Sequence, residues 1–113
     1  MNQPNPALWA KFVEAVEAGR VEGLEWNEHW GYLTVRGMMM VLDERSAEID
    51  HLCAELRRWM EGKGIGLELV SKWGRCELRL FDNGSHDSRV FPNVTELNRH
   101  LQAALWVLER GGA

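Results

Sequence analysis

Two stretches of this chain repeat one pattern: residues 23–36 read GLEWNEHWGYLTVR, and residues 66–79 read GLELVSKWGRCELR. The Gly-Leu-Glu, Trp-Gly and Arg positions all recur at a displacement of 43 residues. A second echo follows, in which residues 51–56 (HLCAEL) return as residues 100–105 (HLQAAL) at a displacement of 49. Repeats of this length indicate duplicated supersecondary units, and the larger second displacement predicts a six-residue insertion near residues 82–87.

Each repeated stretch alternates apolar and polar residues on both sides of its Trp-Gly dipeptide, which is typical of a β-hairpin. Closing the second hairpin at that dipeptide places Glu68 opposite Arg79, and the same rule places Glu25 opposite Arg36. Opposite charges on facing residues stabilise a hairpin by about 0.2–1 kcal/mol. This stabilisation is a structural explanation for the recurrence of the Glu and Arg positions. Because Trp is not a favoured turn residue, a loop longer than two residues is the alternative.

Three amphipathic helices accompany the hairpins. The first is predicted at about residues 6–18, because Asn5 can cap a helix that Pro6 begins, and Gly19 ends it. The second is predicted from near Asp43 or Ser46 to Gly62, and the third begins near residue 93. The buried stripe of the second helix is predicted to comprise Ile49, Leu52, Cys53, Leu56, Trp59 and Met60.

These elements predict one α+β domain over residues 1–113, in the order α-βββ-α-βββ-α. The order follows from a βββα duplication with copies at about residues 19–62 and 63–112, each ending in a third strand and a helix. Because each hairpin has one apolar face, we expect two layers: an antiparallel sheet with helices on one face. The element order resembles that of the small acidic dimeric secretion chaperones, although no residue motif carries the likeness and it transfers no binding residues.

Charge is distributed unevenly along the chain. The net charge of −4 divides into −6 for residues 1–56 and +2 for residues 57–113. An acidic protein is a poor candidate for nonspecific nucleic-acid binding, which depends on neutralising phosphates. The longest apolar run, residues 38–42, is far shorter than the roughly 18 residues of a membrane span. With no export signal and two cysteines in unrelated contexts, we expect a cytoplasmic protein with reduced thiols.

The sequence predicts no enzyme, no cofactor and no metal site. His51 and Cys53 are two residues apart on one helix, so they cannot point at one ion. No nucleophile stands in a recognisable catalytic context. An enzyme would need a cleft built from the insertion and residues such as His86 and Glu28, although Glu28 lies beside a turn and can reach water.

The third helix carries the predicted partner surface. Trp106 stands opposite the centre of the apolar stripe and should be exposed unless a second face of this helix is buried. An exposed Trp beside arginine is typical of an interface. The sequence therefore predicts a protein-interaction module: a homodimeric adaptor, a chaperone-like protein or an inhibitor of a larger partner. The predicted contact residues are Arg99, Ala103, Trp106, Val107 and Arg110.

The basic second hairpin supports an alternative function. Basic side chains interleaved with aromatic side chains are typical of a platform for single-stranded nucleic acid. Glu68 and Glu77 lie on the same predicted face and neutralise much of its charge. The residues predicted to bind nucleic acid in this alternative are Lys72, Trp73, Arg75, Arg79 and Arg89.

Overall fold

The computed structural model describes residues 5–40, 47–72, 75–82, 85–92 and 95–111. The described part contains three helices, α1 (Pro6–Glu17), α2 (Ala47–Gly62) and α3 (Glu96–Gly111). Its strands are β1 (Leu24–Asn27), β2 (Tyr32–Val35), β3 (Met38–Met40), β4 (Ile65–Lys72), β5 (Arg75–Asp82) and β6 (Ser85–Pro92). The predicted α+β class is confirmed, whereas the internal duplication and the one-sided helix layer stay predictions.

The first helix begins as its sequence predicts. The Asn5 side-chain oxygen accepts hydrogen bonds from the backbone N–H groups of Ala7, at 3.0 Å, and Leu8, at 3.3 Å. These bonds satisfy two of the donors that every helix N-terminus leaves open. The helix ends where Gly19 adopts a φ of +73°, which glycine reaches without steric cost. The Asn5 backbone N–H also donates to the Asn98 side chain at 2.7 Å, which ties the start of α1 to α3.

The first hairpin has a different register from the one predicted. Leu24 lies opposite Val35 and Glu25 lies opposite Thr34, so the predicted Glu25–Arg36 pair is wrong. Four loop residues, 28–31, separate the strands in place of two. The Asn27 side chain accepts from the Trp30 N–H at 2.8 Å, and the Asn27 carbonyl accepts from the Gly31 N–H at 2.7 Å. This longer loop moves the pairing by two residues, so that the Arg36 N–H donates to the Gly23 carbonyl at 2.7 Å at the end of the hairpin.

The strands β4, β5 and β6 pair antiparallel in that order. Glu68 lies opposite Arg79 in this register, as the repeat predicts for the second hairpin. The two side chains approach to 3.5 Å. The equivalent Glu and Arg positions of the two repeated stretches therefore have different neighbours.

The hydrophobic core lies among the three helices and the inner face of the first sheet. Alternation along β1 and β2 directs Leu24, Leu33 and Val35 to the helices, where all three are buried. Helix α3 packs against both α1 and α2. The predicted stripe of α2 is confirmed, since all six of its residues are buried: Ile49, Leu52, Cys53, Leu56, Trp59 and Met60.

Candidate functional site

The apolar centre of the predicted partner surface on α3 is buried. Trp106 retains 4% of its accessible surface, and Ala103 and Val107 beside it are also buried. The expectation of an exposed Trp is wrong because a second face of α3 is covered. Helix α1 packs along α3, and the Arg89 guanidinium from β6 lies 4.5 Å from the centre of the Trp106 ring.

The two arginines of that predicted surface differ in exposure. Arg99 is half-buried, and Arg110, in the last turn of α3, is exposed. Because the tryptophan between them is enclosed, these residues do not form a continuous apolar patch.

Three of the large exposed apolar side chains of the described residues belong to the first sheet and its loop. Trp30, in the loop of the first hairpin, is 73% exposed, and Met38 and Met39 on β3 are each more than half exposed. Met38 and Met39 point to opposite faces of β3, as adjacent residues of a strand do. Phe81 on β5 is the fourth large exposed apolar residue of the described chain. The signal in the sequence was the apolar run at residues 38–42.

A buried carboxylate binds two arginine side chains where α2 meets the first sheet. Glu55 is 4% exposed, and the Arg36 Nε donates to both of its oxygens, at 3.1 and 3.2 Å. The Arg58 guanidinium donates to the same carboxylate at 2.8 Å. Arg36 holds this position with a φ of +49°, which is unusual for a residue with a side chain. These three residues, with Glu22, Trp59, Gly62 and Lys63, line a pocket of about 300 Å³.

Two of the residues predicted to bind nucleic acid are engaged within the protein. Arg79 donates to Glu77 at 3.0 Å and approaches Glu68 at 3.5 Å, and the hydrogen bond to Glu77 raises the pKa of its guanidinium. Arg89 pairs with Glu109 at 3.2 Å while it lies over Trp106. The side chains of Lys72, Trp73 and Arg75 lie outside the described residues.

Of the residues considered for an enzyme, the structure describes the Glu28 side chain. Glu28 lies in the loop of the first hairpin and is exposed, which matches its predicted escape to water. The His86 side chain and residues 83–84 of the insertion lie outside the described residues. His51 is exposed on α2, as predicted.

The packing of α2 against α3 assembles a cluster that the sequence did not indicate. The Cys53 sulfur, a Glu96 carboxylate oxygen and a His100 ring nitrogen lie within 4.8 Å of one another. The Arg57 Nε, which can only donate, lies 2.8 Å from His100 Nε2, so that nitrogen accepts. His100 Nδ1 therefore carries the proton and donates to the Glu96 carbonyl oxygen at 2.8 Å.

Burial governs the ionisation of this cluster. Burial lowers the pKa of His100, although the hydrogen bond to the Glu96 carbonyl acts in the opposite direction. Burial also raises the pKa of the Cys53 thiol to about 12. The negative charges of Glu96 and Asp50 raise the pKa of Cys53 further. At neutral pH the cluster therefore holds a neutral imidazole and a protonated thiol. Sequence reasoning missed it because Cys53 and His100 lie on different helices.

No protein-family model matches this chain, and neither a curated protein nor a solved structure shows significant similarity to it. Within the described ranges, no helix combines the length and the apolar character that crossing a membrane requires. The function is therefore argued from the surfaces and clusters of this chain alone.

Proposed function

We propose that this chain is a non-enzymatic protein-interaction module that binds an extended segment of a larger protein along β3. The observation that carries the proposal is the exposure of Met38 and Met39 on a strand at the edge of its sheet. We call Met38 and Met39 the edge surface. It takes the place of the Trp106 surface, which is buried.

Edge strands bind extended segments through their backbone. Strand β3 pairs with β2 on one side, and no described strand pairs with its other side. An added strand gains main-chain hydrogen bonds there, while its alternate side chains contact the two faces of the sheet. Met38 and Met39 offer an apolar, adaptable contact on each face.

Charge favours a basic partner segment. Residues 24–40 carry two exposed acids, Glu25 and Glu28, and one base, Arg36, which is bound to Glu55. Exposed Glu25 lies in the same cross-strand row as Thr34 and Met39, so a negative charge shares the Met39 face. A segment alternating apolar and basic residues would complement both features. The same charge disfavours a second copy of this chain, so we propose an adaptor, chaperone-like or inhibitory role ahead of a homodimer.

The alternative of a nucleic-acid-binding protein has less support. The ion pairs of Arg79 and Arg89 with acidic residues reduce the charge available for phosphates. It stays a prediction that a titration of a labelled oligonucleotide at low salt would test. Absence of oligonucleotide binding by the wild-type chain at low salt would rule out this alternative function.

We further propose that the two βββα units arose by duplication and that the protein acts in the cytoplasm. The duplication is supported by the six sequence positions, in three motifs, that share a displacement of 43 residues. The location is supported by Cys53, a buried free cysteine that is expected to remain reduced. An enzymatic role has no comparable observation in its favour.

Three labelled peptides test the interaction surface. One alternates apolar residues with Lys, the second alternates them with Glu, and the third is the Lys peptide with prolines that prevent strand pairing. We expect the Lys peptide alone to bind in fluorescence anisotropy and to protect the β3 amides from hydrogen exchange. The Met39→Lys variant should lose this binding, and the Phe81→Lys variant, altered on the other sheet, should keep it.

Two results would overturn the proposal. One is equal binding of the Lys peptide and its proline version, because strand addition cannot then be the mode. The other is equal loss in Met39→Lys and Phe81→Lys, because the contact would then not be specific to β3. A shift to a dimer on analytical ultracentrifugation that Met39→Lys abolishes would assign the edge to a second copy of the chain instead.

A further inference from the structure

We propose that Cys53, Glu96 and His100 form a zinc-binding site between α2 and α3. The three ligand atoms lie within 4.8 Å of one another, and they supply sulfur, carboxylate oxygen and imidazole nitrogen. These are the donor types that zinc prefers in proteins. Glu96 and His100 are four residues apart on α3 and therefore share one face of that helix.

Small side-chain movements would close this cluster around an ion. A tetrahedral zinc ion with bonds of about 2.0–2.3 Å holds its ligand atoms roughly 3.3–3.8 Å apart. Cys53 and His100 are buried, so the packing of α2 on α3 sets their positions. Glu96 is exposed and is the ligand with most freedom to rotate inward. An ion there would keep a fourth position open to water on the side of Glu96.

His100 already has the orientation of a metal ligand. Histidines that bind metals donate their other ring N–H to a carbonyl or carboxylate, which selects the tautomer. Nδ1 of His100 donates to the Glu96 carbonyl at 2.8 Å, which leaves Nε2 with its lone pair free of a proton. Nε2 is the nitrogen that accepts from the Arg57 guanidinium.

A zinc ion at His100 Nε2 would replace the cation that is bound there, the Arg57 guanidinium. The Arg57 guanidinium would leave Nε2, and Arg57 is exposed enough to move into water. The Cys53 thiol would release its proton to solvent when the S–Zn bond forms. The two charges of the ion would then be balanced by the Cys53 thiolate and the Glu96 carboxylate, so the buried site would hold no uncompensated charge.

The donor set also discriminates between classes of ion. Magnesium and calcium prefer cages made of oxygen, and only Glu96 offers a side-chain oxygen here. The proposal is therefore restricted to zinc and to ions of similar ligand preference, such as cobalt. The zinc site does not depend on the partner proposed for β3, because the metal titration and the peptide-binding assay give separate results.

Cobalt(II) provides a direct spectroscopic test. Metal-free protein is titrated with cobalt chloride, and the near-ultraviolet absorption is followed for the charge-transfer band of a thiolate–cobalt bond. We expect this band in the wild-type protein, its displacement by zinc, and no effect of excess magnesium. Absence of the band at saturating cobalt would overturn the proposal without any variant being made.

Variants assign the ligands. Cys53→Ser should abolish the band, and Glu96→Gln, altered at the exposed edge of the cluster, should weaken zinc binding by at least about tenfold. Arg57→Gln should tighten binding, because it removes the cation that competes for Nε2. His51→Gln is the matched control, since His51 lies on α2 but outside the cluster. An equal loss in His51→Gln and Glu96→Gln would show nonspecific surface binding and would also overturn the site.

Discussion

The two repeated arginines, Arg36 and Arg79, occupy equivalent positions of the repeat and have different structural roles. Arg36 directly follows β2, adopts a φ of +49° and binds the buried carboxylate of Glu55. Arg79 stays within β5 and pairs on the sheet surface with Glu77 and Glu68. The difference originates in the loop before each arginine. Four loop residues in the first hairpin move the register by two, so Arg36 lies opposite Gly23 at the end of the hairpin and not opposite Glu25.

This comparison shows that a repeated residue need not keep a repeated contact. The carboxylate opposite Arg79 in the second hairpin lies one strand away, whereas the carboxylate that binds Arg36 lies on α2. An ion pair with one buried partner is worth more than an exposed one, because removing its partner leaves a charge in a poorly solvated site. The two sheets should therefore respond differently to substitutions of corresponding residues.

The largest expected effect is at the contact between the second sheet and α3. Trp106→Ala should lower the free energy of unfolding by about 3–5 kcal/mol, because it empties a buried aromatic site and removes the ring over which Arg89 lies. Chemical denaturation measures this change. Trp30→Ala is the matched control and should change the free energy of unfolding by less than about 0.5 kcal/mol, since Trp30 is exposed. Equal effects of the two variants would contradict the burial of Trp106.

The next effect concerns the buried ion pair. Arg36→Ala should lower the free energy of unfolding by about 1–3 kcal/mol, less than for a fully buried pair because Arg58 remains bound to Glu55. Arg36→Gly loses the same ion pair but relieves the positive φ, so it should be roughly 1 kcal/mol more stable than the Ala variant. Thermal and chemical denaturation of both variants check the order. An Ala variant as stable as the Gly variant would show that residue 36 has ordinary backbone geometry.

The smallest effect is expected in the second hairpin. Arg79→Ala should change the free energy of unfolding by no more than about 1 kcal/mol, because its ion pairs are exposed and screened by salt. Added sodium chloride should reduce this difference further, whereas the Arg36→Ala effect should persist. Denaturation at low and high salt separates the two arginines. A larger, salt-independent loss at Arg79 would remove the contrast between the sheets.

Much of the local structure followed from the sequence. Asn5 and Pro6 marked the start of α1, and the spacing of apolar residues identified the buried side of α2. These predictions depend on neighbours within one or two helical turns, so local chemistry was sufficient. The register of the first hairpin was predicted wrongly because the Asn27 side chain stabilises a longer loop. The alternation of apolar and polar residues does not indicate the length of that loop.

The sequence by itself determined the α+β class, the first helix with its cap and the buried stripe of α2. It did so because hydrophobic periodicity and capping are properties of adjacent residues. The tertiary structure alone decided that Trp106 is covered, that Arg36 reaches Glu55 and that Cys53 meets His100. Each of these depends on which helix packs beside which, and that choice is made by the summed burial of many side chains distant in the sequence.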